Sequence, residues 1–200
     1  YATREEDRSD TCVAQSFTTP PDVLKIPPVP REFRLAENGN GIDVSGKNFI
    51  NLEWNKVFIN ISDYTSRQTV GYRVYYDLYI SSTPDDEDFI LAGTSQMPGD
   101  IVFIGDSNPN ATIVTANISS FTPGTEPYER FGSRLKPNTP YYFKVRCRLA
   151  ISGEPEERLS PFSHLVAVTT QRPPVVEPGE EDRKPLAIVD FSIDQDEQNN

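Results

Sequence analysis

The chain has 200 residues, of which 36% are hydrophobic and 10% aromatic, and this composition can build one globular domain or two small ones. Its 30 acidic and 19 basic residues give a net charge of −11, which argues against nucleic acid as a partner because phosphate binding needs clustered lysine and arginine. No apolar run reaches the length of about 18 residues that a transmembrane helix needs, so no membrane span is predicted.

Residues 1–27 are predicted to be an N-terminal charged arm with too few apolar side chains to fold alone. The first residue is Tyr1 rather than methionine, so we expect either a processed N-terminus or a piece of a longer protein. Pro27, Pro28 and Pro30 then predict an extended segment that leads into the first strand.

Two early segments alternate apolar and polar side chains, as a β-strand with one buried face does. Phe33 and Leu35 begin the first segment, and the Asn-Gly-Asn-Gly run at 38–41 predicts a turn after it. Ile50 and Trp54, the single tryptophan, share a face with Leu52 in the second segment.

Residues 72–80 predict a longer strand of the same kind. One face carries the apolar and aromatic side chains of Tyr72, Val74, Tyr76, Leu78 and Ile80. The opposite, outward face carries Arg73, Tyr75, Asp77 and Tyr79.

The middle of the chain predicts short strands separated by turns. Residues 83–88 form a turn, residues 89–92 and 111–115 form strands, and residues 101–104 form an additional strand. Residues 121–134 contain two prolines and two glycines, which predicts a long loop that is either functional or weakly ordered.

Residues 135–149 have the clearest pattern of the chain, because a turn at Pro137 leads directly into strict alternation. The apolar face consists of Tyr141, Phe143, Val145 and Cys147. The polar face consists of Tyr142, Lys144, Arg146 and Arg148. After a loop at 151–159, residues 160–170 predict the last strand of the domain.

This stretch resembles the signature of the fibronectin type III family, Leu-x-Pro-x-Thr-x-Tyr-x-x-x-Val-x-Ala. It is met at Leu135, Pro137, Thr139, Tyr141 and Val145, with Cys147 where the family usually has alanine. The resemblance implies an all-β fold, an immunoglobulin-like β-sandwich of about seven strands over residues 28–172. It also implies a tyrosine corner at Tyr141, whose hydroxyl bonds back to the backbone before the strand, and a buried core position for Trp54.

Within this family the predicted strands are A (from Phe33), B (50–54), C (72–80), C′ (89–92), E (111–115), F (141–149) and G (160–170). The stretch between strands C and F is longer than is usual in the family, so a long insertion is predicted there. The integrin-binding Arg-Gly-Asp of some members is absent from the F–G loop, and that activity is not expected.

Residues 173–200 are predicted to be an acidic, proline-rich linker followed by an isolated strand. Ala187, Val189, Phe191 and Ile193 alternate with other side chains in that strand. It is interpreted as the start of a following domain, and the alternative is an edge strand that completes the sheet of another subunit.

Catalysis, metal binding and cofactors are not predicted. His164 is the only histidine, so neither a histidine-dependent triad nor a metal site with several histidines is expected, and a structural role is predicted for it. The acidic run 85–88 could ligate Ca²⁺, but a solvated turn is the preferred interpretation. Cys147 is expected to be a free core thiol, and a bridge to Cys12 is the alternative.

Three Asn-x-Ser/Thr sequons, at Asn60, Asn110 and Asn117, are candidate sites for N-glycans. Chance alone predicts about two such triplets in a chain of this composition, so they favour the secretory pathway only weakly. Together with the resemblance they predict an extracellular or cell-surface location, as a secreted protein or an ectodomain.

The outward faces of strands C and F are predicted to form a partner-binding surface, because these strands are neighbours in the family. Its members are aromatic and basic side chains, namely Arg73, Tyr75, Tyr79, Tyr142, Lys144, Arg146 and Arg148. Tyrosine and arginine dominate binding hot spots, and a positive face on an acidic protein could bind a protein partner or further copies of itself. The alternative is ordinary cross-strand packing on a solvated sheet.

The sequence therefore predicts a non-catalytic extracellular interaction or spacer module of an adhesion, receptor or matrix protein. The competing interpretation is a structural subunit of a virion, fibre or surface filament that assembles through its sandwich faces and terminal strand.

Overall fold

The structure is a computed structural model that describes residues 25–67, 70–97 and 99–172. Within these ranges the chain forms nine strands and one α-helix. The elements are β1 (Arg34–Ile42), β2 (Asn48–Asn55), β3 (Tyr72–Ser81), β4 (Ile90–Thr94), β5 (Val102–Ile104), β6 (Ile113–Ile118), α1 (Glu126–Phe131), β7 (Pro140–Ile151), β8 (Arg158–Leu159) and β9 (Val166–Thr169). The predictions for most of the arm, for Cys12 and for residues 173–200 lie outside the described residues.

The strands form two antiparallel sheets, so the all-β prediction is confirmed. Sheet A has the order β1-β2-β6-β5. Sheet B has the order β4-β3-β7-β8, and β9 also pairs with β7. The apolar faces of both sheets enclose one core, in which the largest side chains are Trp54, Tyr76, Tyr141 and Phe33, each at most 1% exposed. This is a sandwich-like arrangement.

The alternation in the sequence corresponds to alternating burial in the long strands. In β2 and β7 every second residue is buried, and Trp54 packs edge-on against Phe33 and Tyr76 with ring centroids 5.9 and 5.3 Å away. The additional strand expected at 101–104 is present as β5. Tyr72, which was expected to face the core, is 41% exposed, and its hydroxyl donates to the carbonyl of Ile59.

The turn predicted at 38–41 is wrong, because these residues lie inside β1. The β1–β2 register shifts between Leu35 and Asn40, so the run forms an irregularity in the strand, with Asn38 in the left-handed region at φ 55°. A Cβ on Gly39 would lie only 2.5 Å from the carbonyl oxygen of Asn51, so the close approach of β1 to β2 requires glycine there.

The turn between β1 and β2 comes instead at residues 43–47. The carboxylate of Asp43 accepts hydrogen bonds from the backbone N–H groups of Ser45 and Lys47, at 2.8 and 2.9 Å. Asx-type bonding of this kind gives the backbone polar groups of a tight turn their partners.

The segment 121–134, predicted as a loop, contains α1. Thr125 caps the helix by accepting a hydrogen bond from the N–H of Tyr128, and Phe131 at its end is 6% exposed. The ring of Phe131 packs between Phe121 and Tyr141, with centroids 6.0 and 5.7 Å away. The segment therefore covers one side of the core.

Of the predicted strand G at 160–170 only residues 166–169 form a strand, β9, and the short strand β8 lies at the end of the segment predicted as a loop. Between them the hydroxyls of Ser160 and Ser163 accept hydrogen bonds from the N–H groups of Cys147 and Val145, both at 3.0 Å. Pro161 has no N–H to contribute to a ladder, so serine side chains supply part of the pairing along this edge of sheet B.

Candidate functional site

All seven residues predicted for partner binding lie on one surface, the outer face of sheet B. The β3–β7 register places Tyr75 opposite Arg148 and Tyr79 opposite Lys144. Arg73 lies two residues from Tyr75 along β3, and Tyr142 lies two residues from Lys144 along β7. Strands β3 and β7 thus bring the predicted set together, while its role in binding stays a prediction.

A carboxylate that was not among the predicted residues lies in the middle of this face. Asp77 is 4% exposed and stands opposite Arg146. Its oxygens lie 3.0 Å from Arg148 Nη2 and 3.6 Å from Arg146 Nε. Arg148 also pairs with Glu157 at 2.8 Å. The arginines of the face are therefore largely neutralised, and the expected free positive charge is absent at this point.

Aromatic rings hold the two guanidinium groups in place. The guanidinium carbon of Arg146 lies 5.1 Å from the ring centroids of both Tyr79 and Phe162, and that of Arg148 lies 5.7 Å from Tyr75. The Tyr79 and Phe162 rings meet edge-to-face at 4.9 Å. Cation–π contacts of this kind fix the arginine side chains and shield the Asp77 carboxylate from water.

Burial of Tyr79 in this layer raises its pKa above the ordinary value, because the phenolate would be desolvated, and Arg146 opposes the shift. The Tyr79 hydroxyl accepts a hydrogen bond from Arg146 Nη2. Tyr79 is therefore a partly covered side chain that stays neutral at neutral pH.

The end of the face near Tyr142 is tied to the acidic turn that was weighed as a Ca²⁺ site. Lys144 Nζ pairs with Asp86 and lies 4.5 Å from the ring centroid of Phe89. Asp88 pairs with Arg130 at 3.2 Å and accepts a hydrogen bond from the Thr83 hydroxyl. These contacts lower the pKa of Asp88, with the Thr83 hydrogen bond as the largest cause. Two carboxylates of the turn are thus engaged in ion pairs.

Arg73 differs from the other cations of the face. It is exposed, and among the described residues no carboxylate lies within ion-pair distance of it. It stands at the end of β3, opposite Ala150. Arg73 is therefore the cation of the predicted set that makes no ion pair among the described residues, although its charge acts on Asp106, which lines the same cleft.

The predicted set omitted Phe162, Phe89, Asp77 and Glu157, which complete the outer face. Asp77 could have been found, because the alternation already placed it on the outward side. Phe162 follows Pro161 in the irregular segment between β8 and β9, and its contact with Tyr79 depends on the path of the backbone there. The alternation of side chains does not predict that path, so the contact between Phe162 and Tyr79 could not be found from the sequence.

The three sequons lie in different surroundings. Asn60 and Asn110 are exposed in loops. Asn117 is half-buried in β6, which is paired on both sides, and its amide nitrogen donates to the side chain of Asn51. Asn60 and Asn110 are therefore the more accessible positions for a glycan.

Cys147 is a free, fully buried thiol among the described residues. Its Sγ donates to the carbonyl of Pro28 at 3.1 Å, and burial raises the pKa of the thiol to about 11. A thiol of this kind is neutral and unreactive at neutral pH. A bridge to Cys12 stays a prediction, because Cys12 lies outside the described residues.

Two further findings concern only the part of the chain that the structure describes. Within it no group of three or more His, Cys, Asp or Glu side chains is arranged to hold a metal ion. No helix in the same residues is both long and apolar enough to cross a membrane. His164 is exposed, and its ring lies 6.2 Å from that of Phe33.

Comparisons with known proteins do not assign this chain to a family. No family model matches the chain, and no curated protein matches it. Among solved structures, the chain matches one described as Astrotactin-2, a conserved vertebrate-specific and perforin-like membrane protein involved in neuronal development, at 16% identity and a TM-score of 0.35. The match covers 66% of this chain and 24% of that one. A similarity this low carries no inference about family or function.

Proposed function

We propose that this chain is a fibronectin type III-like β-sandwich that works as a non-catalytic, extracellular protein-interaction or spacer module of an adhesion, receptor or matrix protein. Its partner on this proposal is a protein that binds the outer face of sheet B.

Two features support the fold part of the proposal. The hydroxyl of Tyr141, near the start of β7, accepts a hydrogen bond from the N–H of Lys136 at 2.9 Å, which is the geometry of a tyrosine corner. The strand orders also correspond to immunoglobulin-type sandwiches, with β1-β2-β6-β5 as strands A-B-E-D and β4-β3-β7-β9 as C′-C-F-G.

The observation that carries the proposed function is the preorganised outer face of sheet B. Its arginine and tyrosine side chains are already fixed by Asp77 and by the neighbouring rings. Binding a partner therefore immobilises fewer side chains. The entropic cost of binding is lower by about 0.5–1.5 kcal/mol for each side chain that is already fixed. Rigid tyrosine and arginine side chains are also the ones enriched at the centres of protein interfaces.

The binding face can be tested without disturbing its centre. In one variant Tyr142→Ala and Lys144→Ala are combined, and the control combines Ile104→Ala and Thr115→Ala on the outer face of sheet A. We expect saturable binding of the fluorescent wild-type chain to cultured cells or deposited matrix, a loss of about tenfold or more in affinity with the first variant, and little change with the control. Equal binding by both variants would contradict the proposal.

The extracellular location rests on the exposed sequons Asn60 and Asn110. Expression through a eukaryotic secretory pathway should give a chain whose mass falls on treatment with an N-glycosidase. Asn60→Gln and Asn110→Gln should each remove one glycan, and Asn117→Gln should change the mass little because its amide is bonded within sheet A. An unshifted wild-type mass would remove this support.

The second candidate function is a structural subunit that assembles with further copies of itself. One observation favours it, namely that strand β3 is paired on both sides along only part of its length. A sheet edge left open in this way is a site where another chain can add a strand.

A further inference from the structure

Strand β3 has one completely paired edge and one edge that is paired over only part of its length. On one side β7 pairs with all of Tyr72–Ser81. On the other side β4 pairs with Asp77–Ile80. Ser95 adds one more position, because its N–H donates to the Tyr76 carbonyl and its hydroxyl accepts from the Tyr76 N–H, both at 2.9 Å. Beyond Ser95, no strand of the described chain pairs with residues 72–75 on this side.

The direction of the free backbone groups follows from these bonds. The N–H and C=O of Tyr76 point toward β4, and backbone groups repeat their direction every second residue along a strand. The N–H and C=O of Val74 and Tyr72 therefore point to the same side. The Gly71 carbonyl, one residue out of phase, accepts from Ser152 on the β7 side, as this pattern requires. Val74 and Tyr72 thus present an open ladder position.

A cleft of about 550 Å³ lies along this open edge. Its lining includes Val57, Phe58, Tyr75, Gln96 and Asp106. Phe58 is 65% exposed, so the cleft has an apolar wall at Phe58 that other side chains of the described residues leave uncovered, whereas Gln96 and Asp106 make another part of the lining polar. The cleft has both the hydrogen-bonding edge and the apolar wall that an added strand needs.

The walls of the cleft are held in place by hydrogen bonds. The N–H of Val57 donates to the hydroxyl of Tyr76 at 2.7 Å. Next to Val57, Lys56 Nζ donates to the carbonyls of Asp106 and Asn108 at 2.6 and 2.7 Å and so ties the 106–108 loop to this segment. A preformed cleft of this kind keeps the ordering cost of binding on the side of the incoming strand.

We propose that the open half of the β3 edge accepts residues 186–193 of a second copy of this chain by strand addition. The sequence of that segment, Leu-Ala-Ile-Val-Asp-Phe-Ser-Ile, suits the cleft. Its alternate residues Ala187, Val189, Phe191 and Ile193 supply an apolar row for the wall at Phe58. Asp190 then falls on the opposite side of the strand, which is the side of sheet B where Arg73 is exposed.

Distance favours a second copy over the same chain. The end of β9 pairs with Pro140, and the cleft lies beside Tyr72, which pairs with Ile151 at the other end of β7. These points are about 36 Å apart at 3.3 Å per residue. The connecting residues 170–185 reach about 50 Å at about 3.1 Å per residue when fully extended, and most of that length would be used because they would also have to cross sheet B from the β9 edge to the β4 edge. A segment from a neighbouring copy has no such limit.

Such a contact joins two different surfaces, so it is heterologous and leads to head-to-tail chains of copies. This inference names the two surfaces through which copies would assemble, and it rests on the second proposed function, assembly, and not on the first. It uses the cleft at the Arg73 end of sheet B, whereas the binding test above alters Tyr142 and Lys144 at the opposite end. Failure of one proposal is therefore distinguishable from failure of the other.

The test is sedimentation velocity of the full chain over a range of concentrations, combined with hydrogen–deuterium exchange of the Tyr72 and Val74 amides. We expect association that grows with concentration and protection of the Val74 amide that grows with it. Arg73→Glu and Asp190→Arg should each weaken association by about tenfold or more, and the two together should restore most of it. Arg134→Glu, an equal charge change on an exposed residue elsewhere, is the control and should have little effect.

Circular dichroism of each variant verifies that it is folded. Recovery of association in the charge-swapped double variant shows independently that residues 73 and 190 meet in the contact. A chain that stays monomeric with an unprotected Val74 amide would overturn the proposal. Protection of Val74 in a chain that stays monomeric would show that its own segment occupies the cleft. Association that survives Arg73→Glu unchanged would place the contact on another surface.

Discussion

The two sheets of this sandwich have outer faces of very different construction. On sheet B, Asp77 is 4% exposed under two guanidinium groups, and Phe162 covers Arg146 and Tyr79. On sheet A the corresponding ion pair, Arg34 with Glu53 at 2.8 Å, leaves the arginine side chain 54% exposed. Near the β5 edge of sheet A, Val102 and Ile104 are 55% and 60% exposed.

The difference shows that alternation decides which side chains point outward but not how far they remain in water. Long side chains such as arginine and tyrosine lie down on their cross-strand neighbours and bury them, whereas valine, isoleucine, threonine and asparagine stand up from the sheet and cover little. Sheet B thus has a second, polar layer of packing outside the core, and sheet A has none of comparable burial among the described residues.

The largest effect of this difference should appear on removing the central carboxylate. Asp77→Ala leaves two adjacent guanidinium groups without their shared partner, and we expect a loss of about 2–4 kcal/mol in the free energy of unfolding, somewhat below the range for fully buried pairs because both arginines keep some contact with water. Urea denaturation followed by tryptophan fluorescence of Trp54 measures it.

Glu53→Ala is the matched change on sheet A, and it should cost no more than about 1 kcal/mol because its arginine is solvated. Equal losses for the two variants would mean that the polar layer on sheet B contributes no more than an ordinary surface pair.

A smaller effect is expected for the aromatic cover. Phe162→Ala removes the edge-to-face contact with Tyr79 and the contact with Arg146, which should lower stability by about 1–2 kcal/mol. It should also lower the pKa of Tyr79 toward its ordinary value, because burial is the main cause of the raised pKa. Tyrosine carbon chemical shifts recorded against pH report this change.

Val102→Ala on sheet A removes a side chain of similar exposure without such contacts, and its effect should stay within about 0.5 kcal/mol. A pKa of Tyr79 that is the same with and without Phe162 would show that the ring is buried by the sheet itself.

Much of the layout of sheet B followed from the sequence. The alternation at 72–80 and 141–149 separated inward from outward side chains correctly except at Tyr72. The resemblance to fibronectin type III predicted that the two strands are neighbours, as the β3–β7 pairing shows them to be. The position of Asp77 between Arg146 and Arg148 depends on the register, which alternation does not contain, since a shift of two residues preserves every inward and outward assignment.

The misread segments share a physical cause, namely residues whose local preferences suit more than one structure. Asn-Gly at 38–41 fits a turn and a strand irregularity equally well, because both use the left-handed region. Pro127 and Gly132 suggested a loop, yet proline near the start and glycine at the end also bound a short helix after Thr125. In the 121–134 segment the helix forms because it lets the core bury Phe121 and Phe131.

The smallest predicted effect concerns a second partly buried carboxylate, on the loop after β5. Among the described residues Asp106 makes no ion pair with a guanidinium group as Asp77 does, although the charge of Arg73 acts on it, and Lys56 Nζ is bonded to backbone carbonyls. Burial raises the pKa of Asp106 above its ordinary value, and a hydrogen bond from Ser95 and the charges of Lys56 and Arg73 oppose the shift only in part. Relative to the unfolded chain, folding therefore favours the protonated carboxyl.

Because the folded-state pKa lies above the unfolded one, ionised Asp106 costs stability at neutral pH, and this cost disappears as the pH falls below the unfolded pKa of about 3.9. Asp106→Asn should therefore raise the free energy of unfolding at pH 7, by less than about 1 kcal/mol since the group is partly solvated, and should have little effect near pH 3. Urea denaturation at both pH values measures the difference. A loss of stability at pH 7 would show that the negative charge of Asp106 stabilises the fold. Asp106 would then resemble Asp77, whose charge is compensated by its neighbours.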